Sequence, residues 1–357
     1  EESIDVTMDH LLQAIKLVEE SGQAFESILT REKAYMKLAK YIANTENEVT
    51  HADLTEALPF YKSGVAARNE MLSLAIAWGY KNHIIIKKSF VDGIEFFKGE
   101  SLKPTDLNKM ILSWSPDLAF NYQNDHGPWD KLELLFKGAG LNWCNHHFSQ
   151  GHRCNDKSIP GFNMVVVDVD GTCSLNTVQE LFKDYKYIIY TTKRHQQDGN
   201  DRFRLIFPLN YELKLSLDDY KEFMNNILKW LPFQSDEGAN QVSKKWLTND
   251  KATYIINDGE LLDALKFIPR TSRNEQYQKE MSKIEDLDNL ERWFAQRMVQ
   301  GNRNNLMFKF AMALVDSGMA LIDVEEKVKK FNKQISTSLS EEELENSIFK
   351  TIAKKYV

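Results

Sequence analysis

Asp168-Val169-Asp170 sets two carboxylates two residues apart at the end of the apolar run Met164-Val165-Val166-Val167. A short run so rich in β-branched residues predicts a buried strand. Residues i and i+2 of a strand share a face, so both carboxylates project side by side. Neighbouring carboxylates repel unless a proton or a cation lies between them. The fitting cation is Mg²⁺ or Mn²⁺, which takes oxygen ligands and leaves positions for phosphate oxygens. Two solvated acids in a turn would have the same spacing, and the pair alone does not separate the two cases.

The residues that follow favour the cation. A helical stretch around Val178 to Phe182 leads to a second strand, Tyr187-Ile188-Ile189-Tyr190, which ends in Thr191-Thr192-Lys193-Arg194-His195. A polar loop, Gln196 to Asp201, gives way to a third strand, Arg202-Phe203-Arg204-Leu205-Ile206-Phe207, on which Arg202 and Arg204 share a face. Acids on one strand, a histidine after the next and two arginines on a third make a candidate triphosphate site. Metal ions would bridge phosphate and nucleophile oxygens, and the histidine and arginines would neutralise the remaining charge.

Taken in order, VVVDVDG, YTTKRH and RFRLIFPL resemble the archaeo-eukaryotic primase superfamily, in particular the primase-polymerases of phages and plasmids. The resemblance covers the middle of the chain. It implies an α+β fold with an RRM-like catalytic core and template-dependent synthesis of primers on single-stranded DNA by two-metal catalysis. NTP or dNTP would be the substrate, Mg²⁺ or Mn²⁺ the cofactor and a replicative helicase a further partner. Asp168 and Asp170 match the first metal-binding pair, and His195 matches the histidine on the incoming phosphates. Arg202, Arg204, Lys193 and Lys244 would help bind the nucleotide. Asp236, in FQSDEGANQVSKKW, is the best match for the third acid, with Glu237 as runner-up. The family's S/T-x-H segment would put a hydroxyl where this chain has Lys193; Thr191 and Thr192 come earlier. Where family members often carry arginine after the third acid, Lys244 and Lys245 supply charge without a bidentate fork.

VVVDVDGT also resembles the haloacid dehalogenase-like phosphatases. That reading makes Asp168 a nucleophile and Asp170 an acid/base, with YTT as the hydroxyl motif and Asp258 and Asp263 as a faint acidic echo. It gives the RFRLIF strand no role. A third reading keeps the core as a nucleic-acid-binding replication module without activity.

The flanks read as helical, which predicts three segments: 1–103, 104–270 and 271–357. In the first, a helix over Lys33 to Ile42 precedes a short helix capped by Thr50 and Asp53, and a longer one runs from Gly64 to Trp78. Two strands then meet at Asp92-Gly93, a hairpin signal. Three helices and a hairpin resemble a winged helix-turn-helix, which implies DNA contacts at Lys62, Arg68, Asn69, Lys87 and Lys88. In the last segment, the Gly301-Asn302-Arg303 helix entry resembles the helical domain after phage primase cores and adds Arg303 to the DNA-binding candidates. Cys144, His146, His147, His152 and Cys154 fall within eleven residues, and Cys144, His146, His152 and Cys154 could hold a tetrahedral Zn²⁺, although the spacing also suits a hairpin entering the core. In that case His152 and Arg153 would help hold nucleotide or template.

Composition sets the frame. Of 357 residues, 42% are hydrophobic and 27% charged, as in a folded globular protein rather than a fibre or a disordered chain. No apolar run approaches the ~20 residues of a membrane helix, and no basic-then-apolar leader opens the chain. Three cysteines cannot build a disulfide framework, so a cytoplasmic, reducing location is expected. A net charge of −7 argues against a coat protein of nucleic acid but leaves room for a local basic patch.

Overall fold

A computed structural model describes residues 8–61 and 64–355. The chain divides into two units: residues up to Leu102 with Arg270–Ser272, and Lys103–Pro269 with Arg273 onward. The fold is mixed α+β, with antiparallel sheets throughout.

The first unit holds α1 (Met8–Asn44), β1 (Val49–Thr50), α2 (His51–Ala57), α3 (Val65–Lys81), β2 (Ile84–Val91) and β3 (Ile94–Ser101). Helix α1 runs far beyond the span that its apolar spacing predicts, since no proline interrupts it. Thr50 caps α2 through a reciprocal box: its side chain accepts from the Asp53 amide, and the Asp53 carboxylate accepts from the Thr50 amide. Strands β2 and β3 meet at Asp92-Gly93, both in the left-handed region that a tight hairpin requires. β1 adds to the far edge of β3. Leu38 and Ile42 of α1, Leu54, Leu72, Ile76, Ile86 and Phe97 close one core.

The second unit begins with β4 (Lys103–Pro104), β5 (Met110–Ser115), β6 (Gln123–Gly127), α4 (Glu133–Phe136), β7 (Asn142–Cys144), β8 (His147–Phe148) and β9 (Ser158–Ile159). It continues with β10 (Phe162–Asp170), α5 (Leu175–Leu181), β11 (Tyr187–Thr191), β12 (Arg202–Leu213), α6 (Leu217–Trp230), β13 (Trp246–Leu247) and β14 (Tyr254–Asn257). The main sheet runs β10-β12-β11-β14, with β4 on the far end of β12. β12 lies between β10 and β11, a split β-α-β arrangement. The last strand, β14, flanks β11 rather than β10.

A second sheet, β13-β7-β5-β6, meets the first through Trp143, whose indole N–H donates to the Tyr190 hydroxyl at 2.9 Å, and through Phe136 stacked on Tyr190. Along β12 the side chains alternate, so Phe203, Leu205 and Phe207 turn to the opposite face from Arg202 and Arg204. That apolar face meets Phe182, just after α5, and Trp230 of α6. Four longer helices follow: α7 (Ser272–Ser282), α8 (Asn289–Ala295), α9 (Arg303–Asp316) and α10 (Leu321–Gln334). The sequence reading sets 271–357 apart, but Trp293 of α8 packs edge-on against Phe182, and Trp230 lies 4.9 Å from it. The helices from Arg273 on therefore share the unit of the main sheet. Among the described residues, no helix is long and apolar enough to cross a membrane.

Candidate active site

The strand register brings acids and arginines face to face. Asp168 of β10 is paired with Arg204 of β12, and Asp170 with Arg202. The row through Asp168 continues from Arg204 to Tyr190 on β11 and Tyr254 on β14. Side chains opposite one another on antiparallel strands stand about 5 Å apart, so opposite charges meet directly. Arg204 Nε lies 3.3 Å from Asp168 Oδ1, and Arg202 Nε pairs with Asp170 Oδ1. Arg194, from the loop after β11, reaches the other Asp170 oxygen at 3.0 Å. Arg202 also holds Asp198 at 2.6 Å.

The two acids differ in setting. Asp168 is largely buried, and burial raises its carboxyl above the ordinary range; Arg204 and Lys244 oppose that, while Asp236 and Asp170 add to it. Asp170 is exposed. Asp168 Oδ1 is buried and accepts no hydrogen bond, because the nearby Arg204 N–H points off line. An unsatisfied carboxylate oxygen, with a second carboxylate on the same strand face, fits an oxygen-seeking divalent cation. Among the described residues, however, no three His, Cys, Asp or Glu side chains already gather as a metal site.

Asp236 caps a short 3₁₀ turn over Glu237–Asn240, and its Oδ1 accepts from the Gly238 amide at 2.8 Å. Its other oxygen takes Lys244 Nζ at 2.5 Å, which holds the carboxyl below its usual range. The Ser235 hydroxyl donates to the Asp168 carbonyl at 2.8 Å, which ties this segment to the end of β10. Asp236 is thus a neighbour of Asp168 with its own countercharge.

A cleft of about 240 Å³ opens over these groups, lined by Asp168, Asp170, Thr192, Lys193, Arg194, Arg202, Arg204, Leu247 and Thr248. Lys193 and Arg194 are exposed within it, and the buried Thr192 hydroxyl has no hydrogen-bond partner. Arg204 is locked by the Tyr190 hydroxyl and the Leu247 carbonyl, at 3.1 and 2.6 Å, and lies over the Tyr190 and Trp246 rings.

His195 stands beside the cleft rather than on its lining. Its Nδ1 accepts the Arg202 amide at 3.1 Å, so in the neutral ring the proton sits on Nε2, a free donor tautomer. The histidine thereby fixes the start of β12. Arg194 is the charged cleft residue that the sequence reading leaves unassigned, and Tyr190, buried behind Arg204, is a supporting residue that it also leaves out. Lys193-Arg194 directly after a strand was the available signal; Tyr190 needed the cross-strand register.

The other candidates lie elsewhere. Cys144 is buried with Tyr122 and Phe148, its thiol pushed up to about 12 by burial. His146 is enclosed between Phe162 and Tyr220 and held down to about 3 by burial. His147 contacts the Asp125 carbonyl and the His126 ring, His152 stacks on Phe120, and Cys154 lies 3.9 Å from His152. These five thus divide between the core and separate surface contacts. In the first unit, Arg68 and Asn69 lie in the first turns of α3, and Lys87 and Lys88 on β2, with Lys88 3.7 Å from Glu95. Lys62 lies outside the described residues. Arg303 is engaged within the C-terminal helices, donating to the Ser338 carbonyl at 2.7 Å and pairing with Glu343 at 3.2 Å.

Asp258 and Asp263 are spoken for as well. Asp258 pairs with Lys186, and Asp263 with Arg273 and Asn210. Asp258 follows Asn257, which is opposite Tyr187 at the start of β11, whereas the carboxylate row crosses β11 at Tyr190. The Thr191 hydroxyl accepts the Thr253 amide at 2.9 Å instead of facing the cleft. Comparison of the chain with family models, curated proteins and solved structures gives no significant match.

Proposed function

We propose that the second unit is a nucleotidyltransferase of the primase-polymerase type, extending or initiating a strand on single-stranded DNA. One observation carries the reading: Asp168 and Asp170 on β10 face Arg204 and Arg202 on β12 at the floor of a cleft rimmed by Lys193 and Arg194. Two carboxylates inside a ring of cations suit a triphosphate that arrives with its own counter-cation. The phosphatase reading needs acids that stand at the wrong end of β11.

In this reaction the 3′-oxygen of the growing strand bonds to the α-phosphorus, and the bond to the pyrophosphate breaks. The chain's own part is to bind and orient. Lys193 and Arg194 take the outer phosphates. Arg202 and Arg204 exchange carboxylate for phosphate oxygens, as charge-assisted donors do when a second anion enters. The unpartnered Thr192 hydroxyl offers one more donor to the same group. His195 keeps Arg202 in register and has Nε2–H to give. A divalent cation held by Asp168 and Asp170, with Asp236 beside them, would supply Lewis-acid stabilisation of the charge on the transferring phosphoryl group. The split β-α-β of the main sheet supports an RRM-like core, although β14 beside β11 departs from the arrangement in which the last strand flanks the first. The β2–β3 hairpin behind three helices supports a winged-helix-like first unit.

The test is synthesis on single-stranded DNA with labelled NTP or dNTP and Mg²⁺ or Mn²⁺, with and without a primer. Template-dependent products that vanish in Asp168→Ala/Asp170→Ala support the reading. No product from the parent chain under any of these conditions defeats it.

A further inference from the structure

A stacked aromatic pair stands on the surface of the second unit, outside the cleft. The Phe120 ring lies on the His152 imidazole, with centroids 4.6 Å apart and planes 22° from parallel. Phe120 is 58% exposed and its neighbour Leu118 is 66% exposed, so this contact does not serve a core. The loop that carries them is nevertheless held firmly. Arg153 donates from its amide to the Ala119 carbonyl at 2.8 Å, from Nε to the Leu118 carbonyl at 2.9 Å, and from Nη1 to the Ser243 carbonyl at 2.5 Å. Leu118 and Phe120 thus present an exposed apolar face on a fixed base.

The next residues lead to the carboxylates. Ser243, which receives Arg153, precedes Lys244, the partner of Asp236, and Lys245. Lys245 Nζ donates to Asn142 Oδ1 at 3.1 Å, and Arg153 donates to carbonyl oxygens; neither pairs with a carboxylate among the described residues. Burial lowers the Lys245 ammonium, and the nearby charges of Arg153, Arg204 and Lys244 lower it further. Four cations thus gather between the Phe120 stack and Asp168, and only Arg204 and Lys244 among them face an acid. A ligand that covers the ring and answers this charge must carry flat apolar faces joined by anions.

We propose that Phe120, backed by His152, is a stacking platform for a base of single-stranded DNA, and that Arg153 and Lys245 draw its phosphates toward the Asp168 cleft. This rests on the nucleotidyltransferase reading for what the strand is doing there, but the binding stands apart from the chemistry. Single strands are held by this pairing of aromatic faces with a cationic track, without regard to sequence.

The experiment uses the full chain and an oligothymidylate carrying one 2-aminopurine, scanned along the strand, with affinity read by anisotropy of an end label. At one position the 2-aminopurine emission should be quenched by stacking. Phe120→Ala should abolish the quench and weaken binding roughly tenfold, while Phe120→Tyr should keep both. Asp168→Ala/Asp170→Ala should bind with the quench intact. A quench and affinity unchanged in Phe120→Ala overturn the platform, and so does a chain that does not bind the strand. Quenched binding without synthesis by the parent chain would keep the platform and remove the polymerase. Synthesis with normal primer-template affinity in Phe120→Ala would do the reverse.

Discussion

Asp168 and Arg204 show how a candidate functional residue is held against its own stability. The carboxylate is mostly buried, accepts no hydrogen bond on Oδ1, and has the Arg204 guanidinium as its nearest countercharge, with Lys244 as a second cation. Removing that guanidinium strands the charge: Arg204→Ala should destabilise the second unit by about 3 kcal/mol. Asp168→Asn removes the buried charge but keeps the shape, so its melting temperature should equal or exceed that of the parent, while the synthesis proposed for the parent should be lost. A melting temperature lowered by several degrees in Asp168→Asn would mean that the carboxylate is structural. His146 gives a second, independent prediction. It is fully buried, and its folded value of about 3 lies well below the 6.5 of the free side chain. The unfolded chain therefore binds the extra proton between those two values, and stability falls as pH drops through 6.5 toward 3, by up to ~1.4 kcal/mol per pH unit. Urea midpoints at pH 7 and pH 5 should separate more in the parent than in His146→Leu. Equal separations would refute a buried neutral histidine.

At the scale of elements, the first unit depends on how closely its hairpin approaches its longest helix. A Cβ at Gly99 on β3 would stand 2.6 Å from the backbone of Ala43, near the end of α1. Backbone cannot yield as a side chain does, so Gly99→Ala should cost about 1–3 kcal/mol. The cap at the start of α2 is gentler: Thr50→Ala should cost about 1 kcal/mol. Denaturant melts of the two variants, ranked in that order, would bear this out; the reverse order would place α1 further from the hairpin than the structure has it. In the second unit, the positioning element is β12. Its acid-facing Arg202 and Arg204 line the cleft, while Phe203, Leu205 and Phe207 pack on the other side, so one strand both anchors and charges the cleft.

For the whole molecule, charge is the informative quantity. The chain is net acidic at −7, yet Lys193, Arg194 and Arg204 line one cleft, and Lys244, Lys245 and Arg153 follow on from Arg204. Binding by a local patch of this kind engages few phosphates. The affinity for oligothymidylate should fall with rising salt along a log–log slope of about −2 to −3, at about −0.7 per phosphate contacted. A flat slope would exclude the cationic track. A slope several times steeper would mean that strand contacts extend well beyond these six residues.

How much of this was written in the sequence follows from the range of the forces involved. Local signals survive folding because they act within a few residues: the Thr50–Asp53 box, the Asp92-Gly93 turn, the β-branched run before Asp168, and the alternation that puts Arg202 and Arg204 on one face. These determined where the helices cap, where the chain turns, and that paired acids and paired arginines exist. Which residues meet was beyond them. The opposition of Asp168 to Arg204 is a matter of strand register, fixed by burial of Val165, Val167, Leu205 and Phe207 over the whole of β10 and β12. The seat of His195 beside the cleft, the burial of Cys144 and His146 and the packing of Trp293 against Phe182 and Trp230 were likewise decided in three dimensions. In each case packing of aromatic and aliphatic side chains distant in sequence outweighs anything their neighbours in the chain prefer.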